Sequence, residues 1–205
     1  MHPNPNFRHV SRARNLTFAR ERGFGTLSVA VEGEVVSSHI PFRVDESGTW
    51  VEMHLARSNP ILRHPSRAVL MVTGPDAYIS PDWYGVVDQV PTWNYVAVHL
   101  RGALSVLPAT ALRPHLERVS EHFEATLDKP AWTLGKMTPD VLTRMERMIV
   151  PVRLEIEDVQ GTWKLGQNKD DDVRHAAAAA VGGSHGMEQV ELGALMSSPP
   201  PQERI

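Results

Sequence analysis

The sequence predicts a mainly β protein with peripheral helices (α+β), built on a sheet of about six or seven strands that closes as a small barrel. Three observations carry this. Short segments with period-two alternation, rich in Val, Ile and Thr, recur from Phe24 to Trp163. Two amphipathic stretches with helical spacing interrupt them after Pro108 and Pro139. Between strands lies Gly74–Gly102, GPDAYISPDWYGVVDQVPTWNYVAVHLRG, which gathers Tyr78, Trp83, Tyr84, Trp93 and Tyr95 among three prolines.

The first segment is basic: Arg8, Arg12, Arg14, Arg20 and Arg22 face one acid, Glu21. Ser11 caps an expected helix in which Ala13, Leu16 and Ala19 recur before Gly23 stops it. A DNA-contacting helix and a solvated face with one apolar stripe are both open readings. From Phe24, FGTLSVAV, a turn at Glu32-Gly33 and EVVSSHIPF read as a hairpin. A connection at Asp45–Gly48 leads to the strand TWVEMHL. Ser58 or Asn59 can then cap a short helix opened by Pro60 and ended by Pro65. RAVLMVT, Arg67–Thr73, is an apolar run of strand length.

After the aromatic stretch, Val96, Val98 and Leu100 alternate with polar or small residues, and the strand continues to about Leu107. The next helix places Leu112, Leu116, Val119 and Phe123 on one face. The following one, opened at Thr138-Pro139, is expected to turn Val141, Leu142, Met145 and Met148 inward. IVPVRLEIEDVQGTW gives a last strand. Residues 1–172 are therefore expected as one domain. Residues 173–205 read as a helical, low-complexity tail, partly disordered, with SSPPPQERI as its disordered end.

Composition sets limits on function. There are no cysteines among 205 residues, which removes disulfides, thiolate metal sites and cysteine nucleophiles. A net charge of −3 argues against nonspecific polyanion binding by the chain as a whole. No signal-peptide core stands at the N-terminus and no apolar run approaches the roughly 20 residues of a spanning helix, so a cytoplasmic location is expected and no membrane partner. Ten histidines form no H-E-x-x-H or close pair on the expected elements, and no metal site is assigned; His115 and His122 stand two helical turns apart. Gly182–Gly186, GGSHG, matches the nucleophile elbow G-x-S-x-G but lacks the strand before it.

Three stretches carry binding chemistry. The aromatic stretch suits either a pocket for a flat ligand or a lid on a barrel core. HLARSNP, His54–Pro60, joins a strand end to a capped helix start. There, free N–H groups and the Arg57 fork suit an anion, or simply cap the helix. WKLGQNK, Trp163–Lys169, offers two cations and two amides around a glycine.

In this order, with FGTL (24–27) and SHIPF (38–42), GPDAYISPDWY (74–84), VPTWNYVAVHLRG (90–102) and KLGQN (164–168), these pieces resemble the PaiB-like family of FMN-binding proteins, often labelled negative transcriptional regulators. The resemblance runs to about Asp172, and departs from the family at His2 and in the alanine-rich tail. It implies a split β-barrel related to pyridoxamine-phosphate oxidase, a homodimer with FMN at the subunit interface. Carried over by motif, the cofactor-binding residues are His39, Pro41, His54, Ala56, Arg57, Ser58, Asn59, Trp93, Asn94, Tyr95, Lys164, Gln167 and Asn168. Arg57 and Ser58 are expected at the phosphate, His39 and Pro41 along the ring, and Trp93, Asn94 and Tyr95 on it. A redox-responsive regulator is one implied role; an FMN-dependent oxidoreductase using His39, His54 or His99 for protons is the alternative, and a split-barrel relative holding haem or another phosphate-bearing cofactor a third. No helix-turn-helix is visible, so DNA contact rests on the basic N-terminus alone.

Overall fold

A computed structural model describes residues 1–201; Gln202–Ile205, the end of the segment expected to be disordered, lie outside the described residues. Seven strands form one sheet: β1 Phe24–Val31, β2 Glu34–Val44, β3 Trp50–Ala56, β4 Arg67–Ile79, β5 Thr92–Val106, β6 Ile149–Lys164 and β7 Gly186–Met187. Their order is β1-β2-β3-β6-β5-β4-β7, and β1 also pairs with β4, so six strands close on themselves. The helices are α1 Arg12–Arg22, α2 Leu112–Glu124, α3 Pro139–Glu146, α4 Asp171–Ala180 and α5 Gln189–Ser197. Among the described residues no helix is long and apolar enough to cross a membrane.

The chain divides into two compact units. One consists of Ala19–Met71 and Leu100–Asp158, the other of Met1–Phe18, Val72–His99 and the chain from Val159. In the first, the β1–β2 hairpin turns at Glu32 and Gly33, both at positive φ (51° and 90°), which matches the strand twist. Leu27 and Val29 go into the core while Thr26 and Ser28 bond across to His39 and Ser37 on the outer face. Asp45 organises the next turn: its carboxylate accepts from the backbone N–H of Ser47, Thr49 and Trp50 at 2.7–3.0 Å. Burial would raise its pKa, but the bonds from Ser47 and from these N–H groups hold it below the usual carboxylate value. Gly102 is required by packing, since a Cβ there would stand 1.7 Å from the Glu155 carbonyl oxygen.

Two helical faces differ from expectation. Met145 and Met148 are 51% and 63% exposed rather than inward; α3 is only eight residues long and buries Leu142 alone. On α2, Leu112 and His115 are buried, while Leu116, Val119 and Phe123 are half-buried.

In the second unit, Trp163 is fully buried. Its indole N–H donates to Asn15 at 2.8 Å, and the Asn15 amide donates to the Val10 carbonyl at 3.0 Å. This draws Asn15 inward on α1 with Leu16 and Phe18, and Ala13 is left exposed. The alanine run packs Ala177 and Ala178 inside, and α5 buries Leu192 and Met196. Arg174, 7% exposed, ties the two helices: it donates to the carbonyls of Met196 and Ser197 and to Asp171. β7 pairs with β4 at Asp76 and Ala77, so the tail adds a strand to the sheet.

Candidate cofactor site

The unit containing β1 to β3 holds seven of the expected residues. β3 carries His54 and Ala56 to its end, where Ala56 pairs with Ile149 of β6. The expected helix after it is a single 3-10 turn, Pro60–Arg63, capped by Asn59 Oδ1, which accepts from the Ile61 N–H at 3.0 Å. A turn this short sums little dipole, so any anion affinity must come from side chains and loop N–H groups. The Arg57 guanidinium donates to the carbonyls of Arg147 and Ile149 at 2.6 and 3.2 Å, and Ser58 is exposed beside it. The Asn59 amide donates to Ser38 Oγ at 2.7 Å, which ties HLARSNP to SHIPF. His39 is exposed with Nδ1 3.0 Å from Thr26 Oγ1, and Pro41 is half-buried opposite Phe24.

His54 is engaged in a way that the residue pattern did not reveal. Its Nδ1 lies 3.1 Å from Nε2 of His115 on α2, whose other ring nitrogen is 3.8 Å from Glu52 Oε2. Glu52 is 3% exposed and is bonded by Arg118 at 2.7 Å and Arg153 at 2.8 Å. Burial pulls the pKa of both histidines down, that of His115 to about 4, where the His54 and arginine charges outweigh the pull of Glu52. The available signal was a histidine three residues after Leu112 on the apolar stripe of α2.

The other unit holds Trp93, Asn94, Tyr95, Lys164, Gln167 and Asn168. Trp93 is 43% exposed, donates its indole N–H to Asp76 at 3.2 Å and meets Tyr78 edge-on at 6.3 Å. Tyr95 is half-buried. Gln167 shapes the loop after β6: it accepts from the Leu165 N–H at 2.8 Å and donates to the Trp163 carbonyl at 2.5 Å. Asn94, Lys164 and Asn168 come together on the wall of a cavity of about 270 Å³, with Tyr84, Thr92 and Lys169. Tyr84 is buried, so this part of the aromatic stretch is core, and Lys169 sits 5.1 Å from its ring centre.

These residues fit an anionic, amide-bearing group such as a flavin. Lys164 is half-buried, which lowers its pKa, and its bond is to the neutral Thr92 hydroxyl. Among the described residues neither Lys164 nor Lys169 is in an ion pair, so each ammonium has charge to offer a ligand. No metal-binding cluster occurs among the described residues. Ser184 of GGSHG donates to the Tyr78 carbonyl at 2.5 Å, in a loop before β7 and not on an elbow.

Comparison with known proteins extends the geometry. Residues 1–158 match the family described as "Putative FMN-binding domain". The chain is 33% identical over 174 residues to the protease synthase and sporulation protein PAI 2 of Bacillus subtilis, with 82% of this chain and 83% of that one covered. Among solved structures, the FAD and heme binding protein of Mycobacterium smegmatis superposes with TM-score 0.57 at 19% identity, covering 88% of this chain and 83% of that one. A flavocytochrome from Azotobacter vinelandii gives the same score at 10% identity, over 80% and 72% of the two chains. At such identities the structures establish the shared split-barrel fold.

Proposed function

Because the chain belongs to the FMN-binding domain family that its first 158 residues match, we propose that it is a homodimeric, FMN-binding flavoprotein of the PaiB type with a redox-responsive regulatory role. The observation that carries the reading is the set of donors Lys164, Lys169, Asn94 and Asn168 around one cavity, whose lysines make no ion pair among the described residues although Asp88 also lines it, together with the exposed loop Ala56–Ser58. When bound, the flavin supplies electron transfer, and the protein supplies orientation and charge. In this reading Arg57 and Ser58 take the phosphate, His39 and Pro41 lie along the ring, and Trp93 and Tyr95 offer it aromatic surface.

The dimer is supported by apolar surface that the first unit leaves uncovered: Val106, Met145 and Met148 are 45%, 51% and 63% exposed. A regulatory output through the flavin suits the N-terminal helix better than direct DNA contact. Arg20 there donates to the Asp45 carbonyl at 2.9 Å, and Arg14 lies 5.5 Å from the Trp163 ring centre. A cytoplasmic setting fits this role.

The test is an absorption spectrum of protein purified without added cofactor, followed by the mass of what heat releases. Flavin bands with FMN released support the reading, and Lys164→Gln is then expected to weaken FMN binding about tenfold, as loss of a charged hydrogen bond does. Colourless protein that also fails to take up added FMN refutes it. A second reading, a small-molecule oxidoreductase, is favoured by the cavity of about 270 Å³ at Lys164; steady flavin-dependent oxidation of NAD(P)H with an added acceptor would establish it, and a flavin inert to reductants would remove it.

A further inference from the structure

Around His115 the order of hydrogens is fixed by chemistry. His115 is 1% exposed, and the groups facing it are Glu52 and His54 from β3, Arg118 from its own helix and Arg43 from β2. Arg118 and Arg153 each donate to Glu52, which keeps that carboxylate ionised: burial alone would raise its pKa, and the two guanidinium bonds bring it below the usual value. His115 Nδ1 is buried with no hydrogen-bond partner, and Glu52 Oε2 stands 3.8 Å from it. A lone pair there would face a carboxylate; an N–H there is attracted to it. His115 is neutral, so its hydrogen is on Nδ1 and Nε2 is an acceptor. The contact of 3.1 Å to His54 then requires a hydrogen on His54 Nδ1.

We propose that His115 is a positioning residue that holds His54 in its Nδ1–H tautomer, and so presents Nε2 of His54 as a hydrogen-bond acceptor to a hydroxyl of the cofactor's ribityl chain. The inference rests on the flavin reading only for its ligand. A neutral acceptor is wrong for a doubly charged phosphate, which has no hydrogen to give. In FMN the groups next to the phosphate are ribityl hydroxyls, which donate. His54 lies three residues before Arg57, the expected phosphate contact, so a hydroxyl is the group it suits. Glu52, His115 and His54 thus act as a carboxylate–imidazole–imidazole chain, like the outer groups that set the tautomer of a ligand-binding histidine.

The experiment is nitrogen-15 NMR of the imidazoles at pH 7.5, first on protein freed of flavin and then with FMN added. His54 is expected to show a protonated Nδ1 and an unprotonated Nε2, and the Nε2 resonance is expected to move with FMN. His115→Gln, whose amide oxygen still accepts from Nδ1, is expected to keep the tautomer and bind FMN within about twofold of wild type. His115→Leu is expected to lose the tautomer and weaken FMN binding by roughly fivefold to tenfold. A protonated Nε2 on His54 in the wild type overturns the proposal, whether or not the leucine variant folds. The Nδ1–H tautomer with no movement of Nε2 on FMN binding overturns the acceptor role. The expected tautomer in a wild type that takes up no FMN sinks the flavin reading, and with it the ribityl contact, while the pairing stands.

Discussion

His115 shows how one side chain can set the pH response of the fold. Unfolded, a histidine takes a proton near pH 6.5; folded, this one does so only at about 4, because burial and the neighbouring positive groups oppose the charge. Between those values the unfolded chain binds more protons than the native one, so stability falls as pH drops from 6.5 toward 4 and is unaffected by this group above 6.5. His115→Gln removes the titration. Urea unfolding at pH 7.5 and pH 5 should therefore show a larger loss for the wild type than for the variant. Equal losses would mean that His115 is charged in the native state. Asp45 acts in a separate window: its folded pKa is lowered, so its contribution is present above the ordinary carboxylate value and is lost as pH falls through its folded value.

Elements were legible wherever a local rule governed them. Glu32-Gly33 named its own turn, and the alternation of β1 gave its core face, whereas β3 and β6 bury runs of three consecutive residues that alternation does not foresee. The aromatic stretch was half legible. Gly74–Ile79 is part of β4, and Tyr84 is core, because aromatic composition does not separate a lid from a pocket. Met145 on α3 and Met148 in the turn after it were misplaced for a similar reason: helical spacing gives a stripe but not what covers it. Asn15 and His115 were illegible, since each is a polar residue held inside by a partner 148 or 61 positions away. Gly102 marks a place where two strands come too close for any side chain. Gly102→Ala should cost on the order of 2 kcal/mol, as overpacking does, by thermal or urea unfolding. A variant as stable as wild type would show that β5 and β6 can part there freely.

For the molecule as a whole, the sequence motifs named candidate residues in each compact unit, but not how each side chain is engaged. Lys164, Asn94 and Asn168 share one cavity, Asn59 and Ser38 share a bond, while Gln167 and Arg57 spend donors on backbone carbonyls. A site with ammonium groups lacking counter-ions is one that a ligand completes, and such a ligand must stabilise the fold by mass action. At a free FMN concentration of about 100 Kd the gain is about 2.7 kcal/mol. For a chain near 200 residues each kcal/mol moves Tm by about 2–4 °C, so removing FMN should lower Tm by roughly 5–10 °C, and adding it back should restore the loss. Lys164→Gln should shrink that difference at fixed FMN without lowering the Tm of the flavin-free protein, because the side-chain amide can still donate to the Thr92 hydroxyl. A flavin-free protein with unchanged Tm would mean that FMN binds no tighter to the native chain than to the unfolded one, and that the lysines around the cavity serve another anion.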